Sequence, residues 1–535
     1  MYGRRPDGRY IVRFDASELA SGVHFCQMTA QLSDGWGHRG IRRDKKDGAC
    51  PVDLRRYFIP DHSSLEWIPL LREVTRSCEP VVQTGALSDT WNVMHHATQP
   101  IIPRALAWIL LLSFVVRLAT VIPAHLGGYG SDEKEYLFLA HQMLDGKGFV
   151  DSNNELSIKA PLFPALLTLP VWLSGSSLLL PFLLVALLGA VSVFAGYHLA
   201  LDLWGDRTIA RLAAGLIAFA PPLVLYGALL MSENLFIALL LPSILYARRL
   251  CNDERISTHV LFGVVTALAT LTRAAFFGLV PLLLIVPAVA RWRAGLRPAR
   301  LLVALGVWCI VLAPWTIRNY TLHHAFVPVS TFGGRSLLLG NNPYSHGTSN
   351  LDAGFQGWLA SRLQERGVTG RDSLNESEQI AHEQAIALEY MAQHPGHTAM
   401  LALEKAYVFW VYPLSHQPGN HPLQAFLMAF DIVLYIGTLG GIAFAGVRRI
   451  RFSEILIVLG FMTLVHGALH AEARYRLPLV PLLCVVAAGI LPAAGPGDRR
   501  RLLADRRSRI TIGAGLIILL LFYSIAGWIL LSGND

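Results

Sequence analysis

The sequence predicts an all-α, multi-pass membrane protein with about eleven transmembrane helices. The chain has 535 residues, of which 53% are hydrophobic and only 15% are charged, and its mean hydropathy is +0.44. A soluble domain carries about 25% charged residues. The composition therefore argues against a disordered chain, a coiled coil and a simple soluble enzyme. The net charge of +8 does not indicate a nucleic-acid partner, because most arginines fall in loops that flank apolar segments.

Residues 1–93 differ from the rest of the chain. They are polar and mixed in charge, and they show no sustained helical or strand period. From Met94 a short polar leader and an arginine precede a long apolar run, an arrangement typical of the start of a multi-pass protein. We predict that 1–93 is an N-terminal extension, either mistranslated or disordered, and the alternative is a small cytosolic domain. The first apolar run is too long for a cleaved signal peptide.

A helix needs about 20 apolar residues to cross the hydrocarbon core. The segments that approach this length are 104–123, 177–201, 209–230, 234–250, 259–277, 278–291, 300–317, 423–447, 453–470, 476–493 and 510–531. Arginines concentrate in alternate loops, such as 291–300 and 499–509, and the positive-inside rule places these loops in the cytoplasm. The shorter stretches 161–175 and 398–413 then lie along the outer interface as re-entrant or amphipathic helices.

This topology predicts two extracytoplasmic loop regions with interfacial helices. The predicted parts are a catalytic transmembrane module over 94–318 with a first outer loop at 124–176, a large outer loop at 319–422, and C-terminal transmembrane helices over 423–535. Within the large loop, the sequence of 372–395 predicts a capped helix that ends at Pro395. The stretch 326–343 is rich in turn residues and predicts short β-like runs.

Polar side chains collect at the predicted outer ends of the spans, where charge is costly to bury. Asp132 and Glu133 follow the first span, Lys159 lies in the first outer loop, and Glu233 and Arg273 each lie at the outer end of a helix. Further polar residues at this depth are Arg318, Asn319, Glu472, Arg474, Tyr475 and Arg476. Carboxylates and guanidinium groups at one depth, contributed by distant segments, indicate a site. Taken singly, each residue also has a structural interpretation as an interfacial anchor or a helix cap.

Two histidines are candidate metal ligands. His466 and His470 are four residues apart and share a helix face, a spacing that suits a metal ion. Glu472 is the nearest candidate for a third ligand. We expect no metal site here.

Short motifs in a fixed order resemble those of a known family. They are SDEKEY (131–136), KAPLFP (159–164), SEN (232–234), LTR (271–273), PWTIRN (314–319) followed by GGRSLLLGNNP (333–343), and RYRLPLVP (474–481). Over about residues 100–495 the chain resembles the multi-pass glycosyltransferases of the GT-C fold that use a polyprenyl-phosphate sugar. The branch it most resembles contains protein mannosyltransferases, lipid A aminoarabinose transferases and rhizobial lipopolysaccharide transferases.

The resemblance implies an inverting transfer of a sugar to an acceptor hydroxyl at the outer face of the cytoplasmic membrane. The catalytic acidic residue of the family, which is expected to act as the base, falls on Asp132, with Glu133 beside it. Lys159, Arg273 and Arg474 are expected to bind the donor phosphate. Arg318 is assigned to the same phosphate, and the residues expected to bind substrate are Glu233, Tyr136, Asn319 and Tyr475.

The implied partners are a polyprenyl-phosphate sugar, the bilayer and an acceptor that is a glycan, a lipid or a protein. No cofactor is expected, although oligosaccharide-transferring members of the superfamily need a divalent ion. KAPLFP departs from the aminoarabinose-transferase pattern, in which a lysine stands next to consecutive prolines, so the identity of the sugar does not carry over.

Two other functions fit a membrane protein of this composition. A transporter or flippase of lipid-linked sugars also holds charges in the membrane, but such proteins tend to have repeated halves and charges at the midplane. We find no repeat, and the charges here lie at the outer ends. A surface-polysaccharide polymerase or ligase is the third interpretation, and the early acidic pair argues against it.

Overall fold

The computed structural model describes residues 103–490, apart from short gaps at 126–127, 129, 176, 347, 349–351, 369–373, 413–420 and 449. It also describes three strands near the N-terminus and helical residues between 510 and 524. The chain divides into two compact units, Met1–Ile101 and Ile102–Asp535.

In the first unit the described residues form a small antiparallel sheet. Its strands are β1 (Tyr2–Arg4), β2 (Arg9–Val12) and β3 (Met28–Gln31), in the order β1-β2-β3. The sequence shows no sustained strand period here, and the three strands are short, at three to four residues each. The rest of 1–93 lies outside the described residues, so the hypothesis that the native chain starts at Met94 stays a prediction.

Every secondary-structure element assigned in the described residues of the second unit is helical. Its helices are α1 (Arg104–Ala124), α2 (Ser131–Leu144), α3 (Leu162–Ser174), α4 (Leu179–Trp204), α5 (Arg207–Phe219), α6 (Pro221–Tyr226), α7 (Ser232–Arg249), α8 (Ile256–Thr272), α9 (Leu279–Arg293), α10 (Leu301–His323), α11 (Phe332–Gly340), α12 (Ala353–Glu365), α13 (Glu376–Gln393), α14 (Pro395–Trp410), α15 (His421–Arg448), α16 (Ser453–Ala468) and α17 (Val480–Ala487). Short 3₁₀ turns precede α9, α10 and α17 at Ala274–Gly278, Pro298–Arg300 and Ala473–Leu479, and another follows α17 at Ala488–Ile490.

Six helical segments among the described residues are long and apolar enough to cross a membrane. They are Arg104–Ala124, Leu179–Trp204, Ala274–Arg293, Pro298–His323, Pro422–Arg448 and Ala473–Ile490. Three shorter apolar helices accompany them at Leu162–Ser174, Ile256–Thr272 and Ser453–Ala468. The chain is therefore a membrane protein, and the predicted total of about eleven spans is not confirmed.

One predicted span, 209–230, is not a single helix. The chain breaks at Ala220 between α5 and α6, where Pro221 cannot donate a backbone hydrogen bond to α5. The last carbonyls of α5 are bound instead by the buried Arg117 of α1, which donates to Ala218 O at 3.0 Å and Ile217 O at 3.3 Å. An arginine inside a predicted span is thus a cap for a broken helix.

Two glycines make room for this arginine. A Cβ at Gly189 would lie 2.4 Å from Arg117 Nε, and a Cβ at Gly227 would lie 2.6 Å from the Leu223 carbonyl oxygen and 2.9 Å from Arg117 Nε. These distances are shorter than van der Waals contact. A side chain at Gly189 of α4, or at Gly227 after α6, would therefore leave no room for Arg117 in its present position.

In the large outer loop the helix predicted over 372–395 is confirmed as α13. Asn375 Oδ1 accepts from Glu378 N at 2.9 Å, and Glu378 Oε2 accepts from Asn375 N at 3.0 Å. This reciprocal pair is a capping box. The helix ends at Gln393, and Pro395 begins α14.

The β-like runs predicted over 326–343 are wrong, because residues 332–340 form helix α11. Gly334 packs directly against α13, where a Cβ would lie 2.6 Å from Ile380 O. Leu338 and Leu339 are buried in a small core with Phe355 of α12. Contacts with neighbouring helices therefore outweigh the turn propensity of the glycines.

Candidate active site

A cavity of about 850 Å³ lies among the helices of the second unit. One side is formed by the predicted first outer loop, the N-terminus of α7, the C-terminus of α8 and residues 469–478. The other side is formed by helices α11 and α12. Seven of the ten residues predicted for the site line this cavity: Asp132, Tyr136, Lys159, Glu233, Arg273, Arg474 and Tyr475. The structure does not bring Glu133, Arg318 or Asn319 to it.

Asp132 lies in the first turn of α2, between two cations. Its Oδ1 accepts from Lys159 Nζ at 2.8 Å, and its Oδ2 accepts from Arg474 Nη1. Burial by itself would raise the pKa of the carboxyl, but the charges of Lys159 and Arg474 outweigh it and hold the pKa well below its usual range. Asp132 is therefore ionised at neutral pH, and its side chain keeps 23% of its exposure.

A second ion pair stands in the same cavity. Glu233, in the first turn of α7, is buried and lies 3.0 Å from Arg273 Nη1, where α8 ends. The guanidinium groups of Arg273 and Arg474 lie 5.3 and 5.7 Å from the ring centre of Tyr475, within cation–π range. Tyr136 OH donates to Ser232 Oγ at 3.0 Å. The helix ends thus bring two acids and three cations into one space.

Every lysine and arginine that lines the cavity is paired with a carboxylate. Lys159 binds Asp132, Arg273 binds Glu233, and Arg474 binds both Asp132 and Glu472. Arg335 of α11 binds Glu155 and Glu383. An anion that enters must therefore compete with carboxylates for these cations.

Glu133, the second acidic residue predicted to be catalytic, does not line the cavity beside Asp132, and its catalytic role stays a prediction. Glu133 is 3% exposed and faces the protein interior. Its Oε1 lies 2.9 Å from His125 Nε2 and accepts from Leu230 N at 2.9 Å, while Oε2 accepts from Gly130 N at 2.9 Å. Glu133 therefore completes the N-terminus of α2 and joins it to the segment before α7.

Arg318 and Asn319 also serve the scaffold. Arg318 donates to Leu156 O at 2.8 Å, and its guanidinium lies 4.5 Å from the Trp315 ring centre. Asn319 is fully buried, accepts from Ser157 Oγ at 3.0 Å and donates to Val327 O at 3.0 Å. The end of α10 thus holds the first outer loop against residues 327–329. Neither residue lines the cavity, and the predicted roles of Arg318 in donor-phosphate binding and of Asn319 in substrate binding stay predictions.

His470 is occupied by protein groups on both ring nitrogens. Its Nδ1 lies 2.7 Å from Ser336 Oγ, and its Nε2 lies 2.9 Å from Tyr475 OH. Burial lowers the pKa of His470 to about 4, so the ring is neutral. His466 stacks on the Tyr475 ring with centroids 4.7 Å apart. Both histidines line the cavity and hold Tyr475 in place.

A polar part of the cavity wall lies outside the predicted site and is formed by Arg335, Glu155 and Glu383. Arg335 Nε lies 3.0 Å from Glu383 Oε2, and its Nη1 binds Glu155 Oε1. In the sequence, Arg335 follows two glycines and precedes an apolar run. Because the turn residues of 326–343 do not predict a helix, the sequence does not indicate which way the side chain of Arg335 points.

Replacing Glu133 with alanine should lower stability more than it alters chemistry. The change leaves buried backbone donors without an acceptor, at a cost of about 1–3 kcal/mol, so the thermal unfolding midpoint in detergent should fall. Glu133→Gln keeps an acceptor oxygen, so its unfolding midpoint should fall less than that of the alanine variant. Loss of activity in Glu133→Gln at an unchanged midpoint would contradict a purely structural role.

No protein-family model matches the chain, and no curated protein sequence matches it. Solved structures do resemble it. The oligosaccharyltransferase AglB from Archaeoglobus fulgidus, in complex with an inhibitory peptide and a dolichol-phosphate, is 16% identical with a TM-score of 0.46, over 78% of this chain and 54% of that one. The chain thus spans about half the length of the archaeal protein.

A second similar structure is ArnT from Cupriavidus metallidurans bound to undecaprenyl phosphate. It is 17% identical with a TM-score of 0.36, over 73% of this chain and 79% of that one.

Proposed function

We propose that the chain is a membrane glycosyltransferase that moves a sugar from a polyprenyl phosphate to an acceptor hydroxyl. The observation that carries this proposal is the ionised Asp132, held between Lys159 and Arg474 in a cavity that also contains the Glu233–Arg273 pair. A carboxylate beside cations supplies what such a transfer needs, which is a base for the hydroxyl and positive charge for the departing phosphate.

In the proposed reaction Asp132 takes the proton of the acceptor hydroxyl. The acceptor oxygen forms a bond to the anomeric carbon as the bond from that carbon to the phosphate oxygen breaks. The phosphate leaves with the electron pair, and Lys159, Arg273 and Arg474 balance its charge. Because the oxygen attacks opposite the leaving group, the configuration at the anomeric carbon inverts.

Donor binding also affects the base. Lys159 and Arg474 hold the pKa of Asp132 below its usual range. A phosphate that takes over part of their charge relieves this effect and makes Asp132 a stronger base. The ion pairs of Asp132 with Lys159 and Arg474 are therefore compatible with the proposed reaction, since the donor itself prepares the carboxylate for proton transfer.

The proposed location is the outer face of the cytoplasmic membrane. The helices long enough to cross a bilayer include α10, whose outer end supports the first outer loop. Arginine-rich loops such as 291–300 lie at the opposite ends of the predicted spans. A carrier whose tail stays in lipid can present its phosphate at such a helix end.

The test uses the purified protein in lipid nanodiscs, a polyprenyl phosphate that carries a radiolabelled sugar, and glycans and lipids extracted from the source envelope. We expect label in an acceptor and an equal amount of sugar-free polyprenyl phosphate. The same donor is also sealed into vesicles. Movement of intact donor across the vesicle membrane, with no labelled product, would favour a flippase instead.

Lys159→Gln should shift the pH dependence of transfer. A base with a low pKa keeps its active, ionised form as the pH falls. The wild-type transfer rate should therefore decrease little until the pH reaches the range in which carboxyl groups ordinarily titrate. Removing Lys159 raises the pKa of Asp132, so the acid limb of kcat/KM should move to higher pH. Lys147→Gln is the matched control, because Lys147 is exposed and pairs with Asp145. An acid limb at the wild-type pH in Lys159→Gln would contradict the assignment.

A further inference from the structure

The part of the cavity wall formed by Arg335, Glu155 and Glu383, here called the second wall, has no role in the reaction described so far. Arg335 comes from α11, Glu383 from α13 and Glu155 from the first outer loop. Glu383 is fully buried, while the side chains of Arg335 and Glu155 keep 19% and 14% of their exposure. Gln356 of α12 lines the cavity beside them.

The second wall is available to the acceptor if the proposed function holds. A transfer needs two ligands in one cavity, and the donor phosphate is matched by the cations around Asp132. The acceptor hydroxyl must also reach Asp132, so the rest of the acceptor occupies another part of the same cavity. Arg335 and its carboxylates provide polar groups there on three different elements.

The charge of this part of the cavity is negative. Arg335 faces Glu155 and Glu383, and Glu135 and Asp151 also line the cavity. Burial raises the pKa of Asp151, and the nearby Glu135 raises it further. Burial likewise raises the pKa of Glu155, although Arg335 opposes the rise. Like charges are thus already crowded, and a further anion in this space would add to the repulsion.

We propose that the second wall seats the acceptor and that the acceptor group is an uncharged saccharide, not a phosphorylated or carboxylated one. This inference rests on the proposed function. Sugar hydroxyls can donate to carboxylate oxygens and accept from a guanidinium group, so one neutral ring satisfies both kinds of partner. The ring of Phe332, which is only partly buried and also lines the cavity, offers apolar surface to the carbon-bound hydrogens of a sugar.

The experiment separates envelope acceptors by charge. Extracted glycans and glycolipids are passed over an anion exchanger, and the unretained (neutral) and retained (anionic) pools are offered separately at equal sugar content with labelled donor. We expect label chiefly in the unretained pool. Preferential labelling of the retained pool would overturn the inference while leaving the glycosyltransferase proposal intact. Label in neither pool, with intact donor recovered, would overturn both.

A charge variant links the preference to the second wall. Glu155→Gln removes one negative charge, so transfer to the retained pool should rise several-fold relative to the unretained pool, with the KM for donor unchanged. Asp151→Asn is a second variant, and it keeps the one oxygen, Oδ1, that accepts from the backbone N–H groups of Asn153 and Glu155. The control is Glu365→Gln, since Glu365 is exposed on α12 and does not line the cavity. An unchanged ratio in both folded variants would contradict a role for the second wall.

Discussion

Asp132→Asn should lower the rate of sugar transfer by about 10²–10⁴-fold, the usual contribution of a positioned base. The amide has nearly the shape of the carboxylate but cannot accept the proton of the acceptor hydroxyl. Donor affinity should rise in the same variant, because Lys159 and Arg474 would no longer be bound to a competing negative charge. Initial rates with labelled donor, together with donor binding at equilibrium, measure both effects.

The control for this variant is Asp145→Asn at the other end of α2. Asp145 is exposed and pairs with Lys147, so the substitution removes a charge from the same helix without touching the cavity. Its transfer rate should match that of the wild type. Full activity in Asp132→Asn would remove the proposed base, whereas loss of both donor binding and activity would point to disruption of the whole site.

Arg476→Gln should destabilise the protein by about 3–5 kcal/mol, because breaking a buried ion pair leaves its partner charged and unpaired. Arg476 Nη2 binds Asp431 of α15, and both residues are 1% exposed. Arg476 Nη1 donates to Tyr412 O at 2.6 Å and Phe409 O at 3.3 Å. One side chain thus joins the end of α14, the middle of α15 and the turn that carries Arg474.

Unfolding in mixed detergent micelles can test this prediction through a set of variants. Asp431→Asn combined with Arg476→Gln removes both charges and should recover part of the loss, while Asp431→Leu with Arg476→Met should come close to the wild-type stability. Arg362→Gln, in an exposed pair on α12, is the control and should change little. A wild-type unfolding midpoint in Arg476→Gln alone would show that the pair does not stabilise the fold.

The parts of the fold that follow from local pattern could be predicted from the sequence. Long apolar runs gave helices such as α1 and α10, and the Asn375–Glu378 spacing gave the cap of α13. Seven of the ten residues predicted for the site line the cavity, because helices that cross one bilayer bring their ends to a common depth.

The remaining errors concern the direction of side chains. Successive residues on an α-helix point about 100° apart. The side chains of Asp132 and Glu133 therefore point in different directions, and Glu133 turns away from the cavity because it bonds to His125 and to the backbone of Leu230. Helix α11 was missed because its stability comes from contacts with α12 and α13, which depend on residues distant in the sequence.

The glycines around Arg117 have a practical consequence for protein engineering. Replacing glycine with alanine inside a helix is a common way to raise thermal tolerance. At Gly189 and Gly227 the added methyl group would meet the guanidinium stem or a backbone oxygen. Glycine-to-alanine substitutions meant to stabilise this chain should avoid both positions. Gly215 and Gly306 are better choices, because an added Cβ there meets open space.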